Sequence, residues 1–95
     1  MDNQHRKIQG YRELTQAEID LMNKIKALGE TLQGLVTEVS YRIEGQYAAS
    51  LYEGDHATAK RIDSAEAHRW KALAQDHLQQ GLMCLTRAVA QPTTF

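Results

Sequence analysis

Four histidines, His5, His56, His68 and His77, carry the clearest metal-ligating chemistry in this sequence. Two imidazoles on one helix grip a single ion when they are three or four residues apart. His68 and His77 are nine apart, and no HExxH or CxxC motif supports them, so no metal site is expected. Nucleophiles are equally poorly supplied. Cys84 lies beside Leu82 and Leu85, where a small buried hydrophobe is the default reading. No serine sits on a glycine elbow, and neither a P-loop nor a GxGxxG is present. Acid pairs such as Glu13 and Glu18 occur on any solvated helix. The residues predict no catalytic centre, no cofactor and no enzyme.

The N-terminal arm offers a different chemistry. Residues 1–12 hold Arg6, Lys7 and Arg12 against Asp2, a local charge of +2 in a chain of net charge −1. Tyr11 lies among these cations, and Lys26 follows beside Ile25. An aromatic ring with nearby cations suits a nucleotide, the base stacking on the ring while Lys or Arg meets phosphate. Tyrosines and lysines on a helical surface commonly do nothing of the kind, so the pattern by itself does not settle the matter.

The elements that would position these groups are helical. After a polar arm at residues 1–14, Thr15-Gln16-Ala17-Glu18 is a capping box, and a helix is expected over 15–44. Within it Leu21, Ile25, Leu28, Leu32, Leu35 and Val39 form a heptad seam, which Ile19, Met22, Val36 and Ile43 widen. Gly29 and Gly34 each cost about 1 kcal/mol against alanine, a cost expected where another backbone approaches closely. The middle, 45–62, is read as a turn or short helix, with Tyr47–Tyr52 either extending the first helix or forming its own. Glu53-Gly54-Asp55 is a turn signal. A second long helix is expected over 63–91, capped by Asp63 or Ser64. Trp70, Leu73, Ala74, Leu78, Leu82, Leu85 and Val89 mark its buried face. Pro92 ends it, leaving a tail at 92–95.

The sequence therefore predicts one all-α domain over 1–95, a compact helical hairpin with an N-terminal arm. Ninety-five residues with a single cysteine make a marginal monomer. A chain this short buries roughly 60–65% of its unfolded surface, and broad apolar stripes on two helices need more cover than they can give each other. Assembly into a homo-oligomeric helical bundle is the expectation. The balanced charge argues against coating a long nucleic acid. The stretch Met1–Asp20 has no apolar run, and nothing later approaches a membrane span, so no membrane association is expected. The lone cysteine suits a reducing cytoplasm.

Two long stretches carry a family resemblance. His5-Arg-Lys-Ile-Gln-Gly-Tyr-Arg-Glu-Leu-Thr15 followed by Ile19-Asp-Leu-Met-Asn-Lys-Ile-Lys26 resembles the start of the phage anti-CBASS cyclic-oligonucleotide sponges. Glu66-Ala-His-Arg-Trp70 together with Gly81-Leu-Met-Cys-Leu-Thr-Arg-Ala-Val-Ala-Gln-Pro-Thr-Thr-Phe95 is similar to their carboxyl end. Residues 40–62 lie outside the matched stretches. The resemblance implies a non-enzymatic, hexameric protein of the host cytoplasm. It would sequester the cyclic oligonucleotides made by CBASS cyclases and leave effectors unactivated. It also implies that cyclic dinucleotides are held between paired subunits by Tyr11 and Lys26, and cyclic trinucleotides at a separate site using Arg69. The rival expectation is a structural or adaptor oligomer with no nucleotide ligand.

Overall fold

The computed structural model describes residues 12–94. Three helices follow one another: α1 (Gln16–Tyr52), α2 (His56–Ser64) and α3 (Ala67–Ala90). Helices α1 and α3 pack as a hairpin, and the short α2 closes its bend. The expected capping box is present. The Glu18 amide donates to the Thr15 hydroxyl at 3.3 Å, and the Glu18 carboxylate accepts from the Thr15 amide at 2.8 Å.

The boundaries differ from the expected 15–44 and 63–91. Helix α1 continues through Gly45 to Tyr52, because a lone glycine costs a helix about 1 kcal/mol and does not break it. The chain turns instead at Gly54, whose φ of +73° a residue with a Cβ rarely adopts. The 45–62 segment therefore divides between the end of α1 and most of α2. Asp63 and Ser64 belong to the last turn of α2 and do not cap α3. Capping falls to Asp55, which accepts from the Thr58 amide at 3.1 Å and the Thr58 hydroxyl at 2.6 Å. These bonds hold the Asp55 carboxyl below its ordinary range. Helix α3 begins after Glu66, a non-glycine residue in the left-handed region with no capping side chain.

The hairpin is long. A 37-residue α1 spans about 55 Å at 1.5 Å per residue, and the molecule measures 61 × 25 × 19 Å. Its radius of gyration is 20.1 Å, against about 12 Å for a compact chain of this size. The hairpin is elongated because two helices in one layer have nothing to fold back upon.

Burial follows from that thinness. Ile43, Ala59 and Ile62 are the buried apolar residues among those described, all at the corner where α2 covers α1. Between Met22 and Ser40 of α1 the partly covered positions are Met22, Ile25, Gly29, Leu32, Val36 and Ser40, a three-four spacing that faces α3. The heptad seam read from sequence therefore splits. Ile25 and Leu32 lie toward α3, whereas Leu21, Leu28, Leu35 and Val39 are exposed. At about 100° per residue, the three leucines point about 90° to one side of the α1–α3 contact. Leu85 of α3 extends the same side, half-exposed. Trp70, Ala74, Leu78 and Leu85 are exposed and so are not the buried face expected of the second helix, since the single strip facing α1 does not reach them. Cys84 is likewise exposed.

The two internal glycines also part company. A Cβ on Gly29 would meet Leu82 Cδ1 at 3.3 Å, whereas one on Gly34 would meet nothing within 4 Å. Only the first is a close approach, and it is to a side chain.

Ile62 is 4% exposed and is the most completely buried apolar residue described. Ile62→Ala is expected to destabilise the protein by about 2–5 kcal/mol through lost burial and a cavity. Chemical denaturation at fixed protein concentration measures it, and a change below about 1 kcal/mol would deny the corner its role as core.

Candidate functional site: an apolar groove with unpaired cations

The open end of the hairpin brings the start of α1 against the end of α3. Between them lies a groove of about 1050 Å³. Met22 and Ile25 from α1, Leu82 and Met83 from α3, and Leu14 and Pro92 from the flanking segments give it apolar walls. Among the described residues, Arg12, Lys26 and Arg87 border it as cations, and none of those that line it is Asp or Glu. Lys26 points about 70° from the α1–α3 contact, on the side opposite the exposed leucines.

Arg12 is committed to the protein. Its Nε donates to the Ala90 carbonyl at 2.9 Å and one terminal nitrogen to the Val89 carbonyl at 2.8 Å. The other donates to the Glu18 carboxylate at 3.0 Å, completing a two-pronged ion pair with that residue. Helix ends leave their last carbonyls without intrahelical partners, so the guanidinium closes α3 and ties it to the amino end of α1. The Arg12 guanidinium first, then the Thr15 amide, holds the Glu18 carboxyl down from 4.5 to about 2. Arg12 is raised in return.

Lys26 is different. It has no carboxylate partner among the described residues, and neither has Arg87, whose guanidinium donates to the Thr94 carbonyl at 2.8 Å. Both place a positive charge beside apolar walls. An amphipathic anion with a flat hydrophobic part fits such a groove, its charge meeting the cations and its ring displacing water from the walls. Among the described residues no three of His, Cys, Asp and Glu gather where they could share a metal ion. No helix is long and apolar enough to cross a membrane among them.

Farther along the hairpin a second depression of about 480 Å³ has a more polar lining, including Gln33, Thr37, Tyr41, Lys71 and Gln75. Gly29 and Leu82 border both depressions.

The three residues singled out from sequence are not brought to one place. Tyr11 lies outside the described residues. Lys26 is in the open-end groove. Arg69 stands in the first turn of α3, in neither depression, paired with Glu66 at 3.3 Å and set over the Trp70 ring at 5.2 Å. Its neighbour Lys71 faces the Ser40–Tyr41 level of α1, which is about 20 Å of helix from Lys26. Sequence reasoning noted Arg12 as charge only and passed over Arg87. The α3 partners of Arg12 are 77 and 78 residues away, beyond the reach of any local pattern.

Residues 4–90 match the family described as the Acb2/Tad1 hairpin domain. The span takes in the middle segment that the resemblance at the two ends leaves out. The chain is also 43% identical over 105 aligned residues to a protein named Anti-CBASS protein 2, from Pseudomonas phage JBD67, with 97% of each chain covered.

The Arg12–Glu18 tie has a signature in solution. A carboxyl lowered by folding contributes fully above its unfolded value near 4.5 and loses that contribution as pH falls toward about 2. Carboxyl titration followed by NMR is expected to place Glu18 well below 4.5, and Arg12→Gln is expected to return it most of the way. An ordinary Glu18 titration in the wild-type protein would refute the tie.

Proposed function

The chain belongs to the Acb2/Tad1 hairpin family of phage anti-CBASS proteins, and from that premise we propose that it binds and sequesters cyclic oligonucleotide second messengers without cleaving them. The ligands are 3′,3′-cyclic dinucleotides such as cyclic GMP–AMP, and cyclic trinucleotides at a second site. Held in the host cytoplasm, they fail to reach CBASS effectors. One observation carries the reading: an apolar groove bordered by Lys26, with no Asp or Glu among the described residues that line it.

A cyclic dinucleotide has two bases and two phosphates in nearly two-fold arrangement, and a two-fold pair of subunits offers each residue twice. Each copy then supplies one Tyr11 to stack a base and one Lys26 to meet a phosphate. A cyclic trinucleotide suits a three-fold axis, with one Arg69 from each of three chains. A hexamer contains both kinds of axis. Sequestration demands slow release and no bond cleavage, so a groove of this kind suffices.

Self-association is favoured by the exposed side bearing Leu21, Leu28 and Leu35. Apolar surface contributes about 25 cal/mol per Å² when it leaves water, and a second copy covers it with like side chains. Leu28→Glu combined with Leu35→Glu is expected to lower the mass seen by analytical ultracentrifugation while helical circular dichroism persists. An unchanged mass would remove this side from the assembly.

Calorimetry against a panel of cyclic di- and trinucleotides tests the function itself. Tyr11→Ala and Lys26→Ala are each expected to weaken cyclic-dinucleotide binding by about 1–3 kcal/mol, and Arg69→Ala to spare it while weakening the trinucleotide. Ligand recovered after denaturing the complex should be intact. A linear product would make the protein an enzyme, and no binding would leave it a structural or adaptor oligomer.

A further inference from the structure

We propose that Arg87 is a second anion-binding group of the open-end groove, gripping a phosphodiester of the same cyclic nucleotide that Lys26 meets; this rests on the ligand class proposed above. The two arginines that border the groove are in opposite situations. Every guanidinium nitrogen of Arg12 already donates to a protein acceptor, with Glu18 offsetting its charge. Arg87 has one bond, to the neutral Thr94 carbonyl at 2.8 Å, and among the described residues no carboxylate pairs with it. Among the described residues that line the groove there is no Asp or Glu.

The placement matters as much as the charge. Lys26 comes from α1 and Arg87 from α3, so the cations stand on opposite walls of one groove. An ammonium is a point charge, whereas a guanidinium presents two parallel N–H donors that match two phosphate oxygens. A phosphodiester is a stronger acceptor than a backbone carbonyl. Exchange of Thr94 for a phosphate oxygen keeps the donor satisfied and brings a counter-charge to it.

A basic residue in the last turn of a helix also complements the helix dipole, and Arg87 occupies the last turn of α3. That role alone acts on thermal stability and is retained by lysine. Anion binding acts on ligand affinity and its salt dependence, and lysine supplies it only in part.

The full-length protein is titrated with 3′,3′-cyclic GMP–AMP by calorimetry at several salt concentrations, with melting temperature and oligomeric mass followed in parallel. Arg87→Gln is expected to weaken binding about tenfold and to flatten the dependence of affinity on salt. Arg87→Lys is expected to bind between the two, with a wild-type melting temperature. Wild-type affinity and salt dependence in Arg87→Gln, in a protein where Lys26→Ala loses affinity, would overturn the role of Arg87 and leave the ligand class standing. If Arg87→Gln does not fold, Arg87→Lys decides, and undiminished affinity there overturns the proposal. A wild-type protein that binds no cyclic dinucleotide would overturn both.

Discussion

Two helices laid side by side can each hide only the strip that touches the other, and the remaining surface of both stays in water. Nearly everything about this molecule follows from that limit. Its buried residues cluster at the one corner where a third segment arrives, with Ile62 of α2 pressed among residues of α1. Elsewhere the α1–α3 contact leaves its own side chains partly wet. Leu21, Leu28 and Leu35 of α1 and Leu85 of α3 then stay about half-exposed. A hairpin 61 Å long with so little interior gains cohesion chiefly by adding layers, and further copies of itself are the most economical source of them.

The charges are distributed with equal consequence. Arg12 and Glu18 neutralise one another while joining the two helix ends, so that cation shapes the open end without attracting ligands to it. Lys26 and Arg87 have no carboxylate partner among the described residues and border one groove with apolar walls. An anion bound there is attracted by both charges. Apolar contact and charge thus act on different parts of one ligand, which is the requirement for recognising a molecule that is aromatic and phosphorylated.

Much of the architecture was legible in the chain. Helical periodicity, the Thr15–Glu18 cap and the all-α hairpin are local properties, and local sequence encodes them. The bend was harder, because Asp63 and Ser64 carry every feature of a helix start and yet end α2. Packing of Ala59 and Ile62 against α1 decided that boundary, and such packing is not a local signal. The leucine seam had a related ambiguity. Heptad spacing showed that the stripe must be covered, but the division between Leu32, facing α3, and Leu35, facing outward, depends on where α3 lies. At the candidate site the resemblance pointed to Lys26, while Arg87 and the fastening by Arg12 required the two ends of the chain to be brought together.

Gly29 sits where the two depressions meet, with Leu82 across from it. A Cβ on Gly29 would meet Leu82 Cδ1 at 3.3 Å, so that side chain would have to give by a few tenths of an ångström. The missing methyl group thus lets Leu82 lie close to α1 where the two hollows meet. Polar contacts fasten the hairpin at its open end, whereas at Gly29 the fit against Leu82 depends on a hydrogen atom where most residues carry carbon. Any larger residue there would move one wall shared by both hollows, so neither could be reshaped alone from that position.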